Sequence, residues 1–199
     1  MTGTTTLDLG PQTRVVARLV EGVRDEQLTD PTPCPGCAVR NMLGHLTGLS
    51  VAFRNAARKE SGPVTDTAPD AAASEPGPRW RAECPAVLDG LAAAWRDPAA
   101  WTGMTRAGGL DLPGAVAGAV AVDELVIHGW DLARATGQEY VPDPAALRAA
   151  YAFLRAAADE ADRGGAFGPV VPVPDEAPLL DRAVGLSGRD PGWTPEVAG

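Results

Sequence analysis

The chain has 199 residues, of which 45% are hydrophobic and 22% charged, and its formal net charge is -9 at pH 7. This length and composition suit a globular protein with one well-buried core. The acidic balance argues against binding to nucleic acid or to an anionic membrane surface, because phosphate contacts need clustered lysine and arginine.

The first two predicted helices span residues 10–24 and about residues 38–59, where apolar residues recur with helical spacing. A proline-rich loop separates them. His45 lies in the middle of the second helix, between Gly44 and Gly48. Glycine costs roughly 1 kcal/mol against alanine inside a helix. Either another group approaches the backbone there or the helix packs closely against a neighbour.

Residues 61–77 contain almost no large apolar side chain and predict a long exposed crossover. A third helix is expected at residues 84–95, with Pro85 in its first turn. The next stretch, residues 96–112, is predicted to be irregular, and no part of the chain shows the alternation typical of a β-strand.

The fourth predicted helix begins after Pro113 and ends at Gly137, where a left-handed C-cap forms easily. A fifth helix is expected at residues 144–161. A short final helix is predicted at about residues 177–186, with Asp175 as its N-terminal cap.

These elements predict an all-α fold. Four core helices, with a long crossover between helices 2 and 3, describe a four-helix bundle, to which the C-terminal helices are additional. We expect one domain spanning residues 1–199, of which about 165–199 form an extended tail with a short helix packed on it.

The fourth helix carries the stretch DELVIHGWDLARATG, which places Glu124 and His128 one turn apart on a face that is otherwise small and apolar. Both side chains should therefore point inward. Burying them unpaired would cost several kcal/mol, and a bound cation would offset that cost. Together with His45 they would form a His/Glu/His set with open positions, as in catalytic zinc and facial-triad iron sites. Two alternatives remain open. Glu124 and His128 could form an ordinary ion pair within one helix, and each histidine could be an ordinary core or surface residue that binds no metal.

Asp131 lies one turn beyond His128, where an aspartate can orient the imidazole or meet a substrate. An exposed aspartate or an ion pair with Arg134 is the alternative interpretation.

Cys34 and Cys37 form a CPGC pair ahead of the second helix, and a helix N-terminus lowers the pKa of a thiol, as a redox dithiol requires. The lack of alternating strands and helices around the pair favours loop packing, and a structural zinc would lack its second pair of ligands.

Three stretches of the chain match one known family: TPCPGCAVRNMLGHLTG, DELVIHGWDLARATGQ and FGPVVPVPDEAPLLDRAVGLSGRDPGW. They resemble the DinB-like metal-binding family that is related to the N-terminal domain of mycothiol-dependent maleylpyruvate isomerase. The resemblance implies a DinB-like four-helix bundle with a divalent metal held by His45, Glu124 and His128, zinc being favoured over nickel or iron. It also implies mycothiol as a cosubstrate, whose thiol would lose its proton on the metal and attack an electrophilic small molecule.

Two positions depart from the family pattern. Cys37 stands where the family usually has tryptophan, and Ala38 replaces the usual polar helix cap. The isomerase also has a C-terminal α/β domain that contributes to its active site, and we expect no such domain in these 199 residues. Maleylpyruvate itself is therefore not the expected substrate.

We therefore expect a metal-dependent thiol S-transferase or isomerase-like enzyme. A non-catalytic bundle that binds a metal or small ligand is the alternative, and a CPGC redox protein is a third hypothesis. The start of the chain has no secretion-signal pattern and no apolar run is long enough to cross a membrane, which predicts a cytoplasmic location. The sequence leaves open the electrophile and whether the protein forms a homodimer.

Overall fold

The structure is a computed structural model that describes residues 6–68, 70–158 and 167–195. It is mostly helical, as predicted, and contains one small two-stranded sheet. The α-helices of the described ranges are α1 (Gly10–Glu21), α2 (Val39–Ala57), α3 (Pro63–Asp66), α4 (Trp80–Trp95), α5 (Gly114–Thr136), α6 (Pro144–Ala158) and α7 (Leu179–Leu186). The strands are β1 (Met104–Ala107) and β2 (Leu110–Pro113), and short 3₁₀ helices occupy Asp25–Gln27 and Pro98–Trp101.

Four long helices enclose the core. Helices α1 and α2 each pack against both α4 and α5, while α6 packs on α5 and α7 packs on α6. The core is filled by aliphatic side chains such as Val16, Leu46, Leu91 and Leu125, which are fully buried. The apolar stripes that predicted the helices therefore face one another, and burial of these stripes stabilises helices that would be marginal alone.

The prediction of no strand was wrong, because β1 and β2 pair as an antiparallel hairpin. Gly108 and Gly109 form its turn with φ angles of 59° and 80°, which suits the mirror-image turns of two-residue hairpins. The hydroxyl of Thr105 donates to the carbonyl of Ala56 and fixes the hairpin to the C-terminal end of α2. Strands of only four residues are too short for their alternation to be visible in the sequence.

Helix α4 begins one turn earlier than predicted, so Pro85 lies in its second turn rather than its first. Tertiary contacts explain the earlier start: Trp80 is buried, and Arg81 donates to the carbonyl of Val23. The missing N–H of Pro85 leaves the carbonyl of Arg81 without its helical partner, a cost that these contacts offset.

The C-terminal end of the chain also differs in detail. Helix α7 begins after Pro178 and has no side-chain cap, so the predicted cap at Asp175 was wrong. Asp175 is instead exposed, 3.6 Å from Arg182. The predicted fifth helix agrees with α6 up to Ala158, and its last predicted residues, 159–161, lie outside the described residues.

The glycines that flank His45 have different surroundings. A Cβ at Gly44 would lie 2.6 Å from the carbonyl carbon of Glu75 in the crossover, whereas a Cβ at Gly48 would meet nothing within 4 Å. We expect Gly44→Ala to lower the free energy of unfolding by about 1–3 kcal/mol through overpacking. Gly48→Ala should raise it by about 0.5–1 kcal/mol through helix propensity. Urea denaturation measures both changes, and equal midpoints for the two variants would contradict this account.

Candidate metal centre

Three side chains meet between α2 and α5. Nε2 of His45 lies 3.2 Å from Oε2 of Glu124, and Nε2 of His128 lies 3.0 Å from the same oxygen. The two imidazole rings meet edge to face, with centroids 4.7 Å apart. The structure thus brings together the three residues singled out as metal ligands, one of them 79 positions from Glu124 along the chain.

The donor set fits a divalent cation. Zinc holds nitrogen and oxygen donors at about 2.0–2.2 Å in tetrahedral geometry, which places two such donors roughly 3.4 Å apart. The separations of 3.0 and 3.2 Å are close to this value, and ligand atoms of all three residues lie within 4.8 Å of one another. Two imidazoles and a carboxylate suit zinc, iron and nickel alike, so the donor chemistry does not select among these metals.

The two histidines are buried, whereas the side chain of Glu124 exposes 23% of its surface. Burial raises the pKa of Glu124, but the neighbouring His128 and His45 outweigh burial and hold that pKa well below its usual range. Burial lowers the pKa of His128, and the charge of Glu124 together with a hydrogen bond to Asp131 raises it to about 9. In the metal-free protein, His128 is therefore an imidazolium that donates from both ring nitrogens to carboxylates.

Asp131 holds the far side of the His128 ring. Its Oδ2 lies 2.9 Å from Nδ1 of His128, and the side chain is fully buried. When Nε2 gives up its proton, a proton kept on Nδ1 by this contact leaves the lone pair of Nε2 facing Glu124 and His45, as in carboxylate–histidine–metal arrangements. The alternatives for Asp131 were wrong, since it is not exposed and Arg134 donates instead to the carbonyl of Trp193.

Arg189 is the site residue that the sequence reasoning missed. It donates to Oδ2 of Asp131 from Nη2 at 3.0 Å and to Oδ1 from Nε at 3.3 Å. Burial raises the pKa of Asp131, but the charge of Arg189 outweighs burial and keeps that pKa low. The available signal was indirect: an inward-facing aspartate needs a cation, and the tail that contains Arg189 is one of the three stretches resembling the family.

A second group of ligand atoms within 4.8 Å of one another comes from Cys34, His128 and Asp131. Arg189 already neutralises Asp131, so a cation bound there would have to displace a buried guanidinium. Burial, with a smaller contribution from Asp131, raises the pKa of the Cys34 thiol to about 12. The His45, Glu124 and His128 group is therefore the better candidate.

Cys34 and Cys37 flank a tight turn in which Cys37 N–H donates to the carbonyl of Cys34 at 3.1 Å and Gly36 has a φ of 74°. Proline and glycine at the two central positions are typical of a type II turn. Burial raises the pKa of both thiols, the opposite of what a reactive dithiol needs. These features favour the interpretation that the pair packs in the loop.

The stability of the metal-free protein should fall as the pH rises. The pKa of His128 increases from 6.5 to about 9 on folding, so the folded state holds this proton more tightly. The resulting stabilisation is complete below about pH 6.5 and is lost as the pH rises through 9. At about 1.4 kcal/mol for each pKa unit, its upper bound is roughly 3 kcal/mol.

Urea denaturation of chelator-treated protein at about pH 6 and about pH 9.5 measures this change. Metal affinity should follow the opposite slope, because the metal competes with the proton on His128. If the free energy of unfolding of the metal-free parent changed with pH no more steeply than that of His128→Gln, the pH dependence could not be attributed to the raised pKa of His128.

The fold and the site together define a mostly helical protein with a candidate His/Glu/His metal centre. Residues 9–133 match the family model described as the mycothiol maleylpyruvate isomerase N-terminal domain. The chain belongs to this family, which confirms the resemblance drawn from the motifs. The three candidate ligands and Asp131 lie inside the matched range, and Arg189 lies beyond it.

Two uncharacterized proteins of Mycobacterium tuberculosis, from strains CDC 1551 and H37Rv, are each 30% identical to this chain over 189 residues. The similarity covers 87% of this chain and 91% of each relative, so it extends beyond the matched domain. No solved structure matches the chain. Among the described residues, no helix combines the length and the apolar character needed to cross a bilayer.

Proposed function

We propose that this protein is a metal-dependent, mycothiol-using S-transferase or isomerase-like enzyme, built as a DinB-like four-helix bundle. The observation that carries the proposal is the convergence of His45, Glu124 and His128 in a member of a mycothiol-related family. These residues would hold a divalent metal, zinc being the first choice. When bound, such a metal supplies the positive charge that lowers the pKa of a thiol beside it and leaves a thiolate to attack an electrophilic carbon.

The remaining roles belong to the chain itself. Asp131 keeps a proton on Nδ1 of His128 and so presents the Nε2 lone pair to the site. Arg189 fixes the position and charge of Asp131. The burial of both imidazoles excludes water from one side, so small molecules approach past the exposed edge of Glu124. The proposed location is the cytoplasm, where low-molecular-weight thiols are kept reduced.

Metal analysis and cobalt substitution test the proposal. Protein purified without chelators should contain a stoichiometric divalent metal, and the cobalt(II) form should develop a sulfur-to-cobalt absorption band when mycothiol is added. Cys34→Ser is the control, because the thiol of Cys34 lies near His128 and could itself bind cobalt. A band that persists in this variant comes from the added thiol.

Two results would overturn the proposal or part of it. Absence of stoichiometric metal would remove the metal-dependent function altogether. Tight cobalt binding with no spectral response to mycothiol or other thiols would instead support the non-catalytic alternative, a bundle that binds a metal or a small ligand.

A further inference from the structure

Cys34 and Cys37 stand at the two ends of one tight turn. The N–H of Cys37 donates to the carbonyl of Cys34 at 3.1 Å, which is the hydrogen bond that closes a four-residue turn. The end Cα atoms of such a turn lie less than about 7 Å apart. Two cysteines can be bridged without backbone movement only when their Cα atoms are no farther apart than this. The backbone therefore already holds the two cysteines within reach of a disulfide bond.

The two thiols also face each other. The side chain of Cys34 is hydrogen-bonded to the side chain of Cys37, and both cysteines are free. Cysteines whose side chains point apart cannot be bridged, and this contact excludes such an arrangement. The third cysteine, Cys84, is fully buried in α4 and is hydrogen-bonded to Thr47 instead. Cys34 and Cys37 are therefore placed to react with each other rather than with Cys84.

The loop around the two cysteines is held at both ends. The N–H of Thr32 donates to the carbonyl of Cys37 at 3.0 Å, and the Thr32 hydroxyl donates to the same carbonyl at 3.0 Å. Next to this pair, the N–H of Val39 donates to the carbonyl of Asp30 at 2.9 Å. None of these bonds involves a thiol. The loop can therefore keep its backbone bonds when the thiols change their oxidation state.

The two cysteines differ in exposure. Cys34 is half-buried, whereas Cys37 is 5% exposed, so a small reagent reaches Cys34 first. Because the thiolate is the nucleophile, the raised pKa of the Cys34 thiol makes its attack slow, and the pair is unsuited to rapid redox catalysis. The same raised pKa means that no stabilised thiolate favours the reduced pair. A disulfide formed here should therefore form slowly and persist until a reductant opens it.

From these contacts we propose that Cys34 and Cys37 are a modification site that closes into a reversible disulfide in the folded protein, an inference that does not depend on the proposed function. The oxidant is a low-molecular-weight disulfide. The sulfur of Cys34 attacks one of its sulfur atoms, forms a mixed disulfide and releases one small thiol. The sulfur of Cys37 then attacks the sulfur of Cys34 and releases the second small thiol. The two protein thiols lose two electrons and two protons, which leave with the two released thiols.

The proposed disulfide lies at the edge of the candidate metal centre. Ligand atoms of Cys34, His128 and Asp131 lie within 4.8 Å of one another. Oxidation withdraws a thiol that can bind metal from this edge, because a disulfide sulfur has no proton to lose, and reduction returns it. Disulfides in a reducing compartment are usually transient and are often redox-sensing. The disulfide thus makes the presence of a thiol beside His128 depend on the thiol–disulfide state of the surroundings.

Glutathione disulfide is a suitable probe, and peptide mapping identifies the bond. The full-length protein is incubated with an excess of the probe for several hours, since disulfide exchange takes seconds to hours. It is then unfolded in acid, labelled with N-ethylmaleimide and digested with trypsin. Cys34 and Cys37 fall on one tryptic peptide, residues 25–40, and Cys84 falls on another, residues 82–96. A bond between Cys34 and Cys37 therefore leaves the first peptide unlabelled and lighter by two hydrogen atoms.

The parent should give this unlabelled peptide, and dithiothreitol should restore two labels to it. Cys37→Ser should instead keep a glutathione on Cys34, because no second thiol is present to release it. Cys84→Ser is the matched control and should close the disulfide as the parent does. The oxidised parent should unfold at a temperature a few degrees above that of the reduced parent, because the bond restricts the unfolded chain. Oxidation should not change the unfolding temperature of Cys37→Ser in this way.

Four results would overturn the inference. Two labels on the 25–40 peptide of the treated parent would show that the thiols do not react. A glutathione retained on Cys34 of the parent would show that Cys37 does not reach it. A bond to Cys84 or to a second copy of the chain would contradict the pairing. A lower unfolding temperature after oxidation would show that the native loop does not accommodate the bond. None of these measurements requires a metal, so each of these results leaves the proposed function standing.

Discussion

His45→Ala and His128→Ala are each expected to weaken metal binding by more than about 100-fold. Loss of a group that merely supports a ligand costs roughly 10- to 100-fold in affinity, and removal of a ligand itself should exceed that range. The two histidines come from different helices, and the chain contains no others that could replace them. Cobalt(II) titration followed by absorbance measures the affinity of each variant.

Glu124→Gln is the sharpest form of this prediction, because glutamine keeps the size of the side chain while it removes the charge and replaces one carboxylate oxygen with an amide NH2 group. Both imidazoles contact Oε2 of Glu124, so the variant should lose metal affinity to a similar extent. Glu139→Gln makes the same change at an exposed position just beyond α5 and should bind metal like the parent. Affinity within about threefold of the parent for Glu124→Gln would argue against a metal centre.

The same variants distinguish a metal centre from an ordinary buried ion pair. An ion pair alone predicts that Glu124→Gln lowers stability near neutral pH, since charged His128 would lose its main partner. It predicts no stoichiometric metal in the parent protein. A metal centre predicts both bound metal in the parent and its loss in the variant.

The helices could be predicted from the sequence because each contributes an apolar stripe to a shared core. The pairing of Glu124 with His128 followed from the same helical spacing. The partnership with His45 could not be derived from periodicity, which says nothing about which helices become neighbours. The sequence analysis grouped His45 with the inward-facing pair as a candidate donor set and the family resemblance supported the grouping, and the structure brings the three side chains together.

Features that depend on contacts between distant positions escaped prediction. The earlier start of α4 depends on burial of Trp80 and on the hydrogen bond that the Arg81 side chain donates to the carbonyl of Val23. The pairing of Arg189 with Asp131 joins residues 58 positions apart. Local sequence patterns carry no signal for such pairs, whereas the need of a buried charge for a partner at least predicts that one exists.

The second large effect is expected for the buried pair of Asp131 and Arg189. Arg189→Ala removes the main charged partner of the buried Asp131 carboxylate and should lower the free energy of unfolding by about 3–5 kcal/mol. Asp131→Asn should have a comparable effect, because it leaves a buried guanidinium without its counter-charge. Arg134→Ala is the control, since it releases the carbonyl of Trp193 from α5 and leaves Asp131 untouched.

Stability alone does not show that this pair serves the site, and a double variant separates the two roles. Replacing both members by apolar residues of similar size, Asp131→Leu with Arg189→Met, should restore much of the lost stability, because exchanging a whole buried ion pair is often neutral or stabilising. The double variant should still bind metal about 10- to 100-fold more weakly than the parent, because no group then holds the proton on Nδ1 of His128. If the folded double variant bound cobalt as tightly as the parent, the pair of Asp131 and Arg189 would only hold the C-terminal segment in place and would not serve the metal centre.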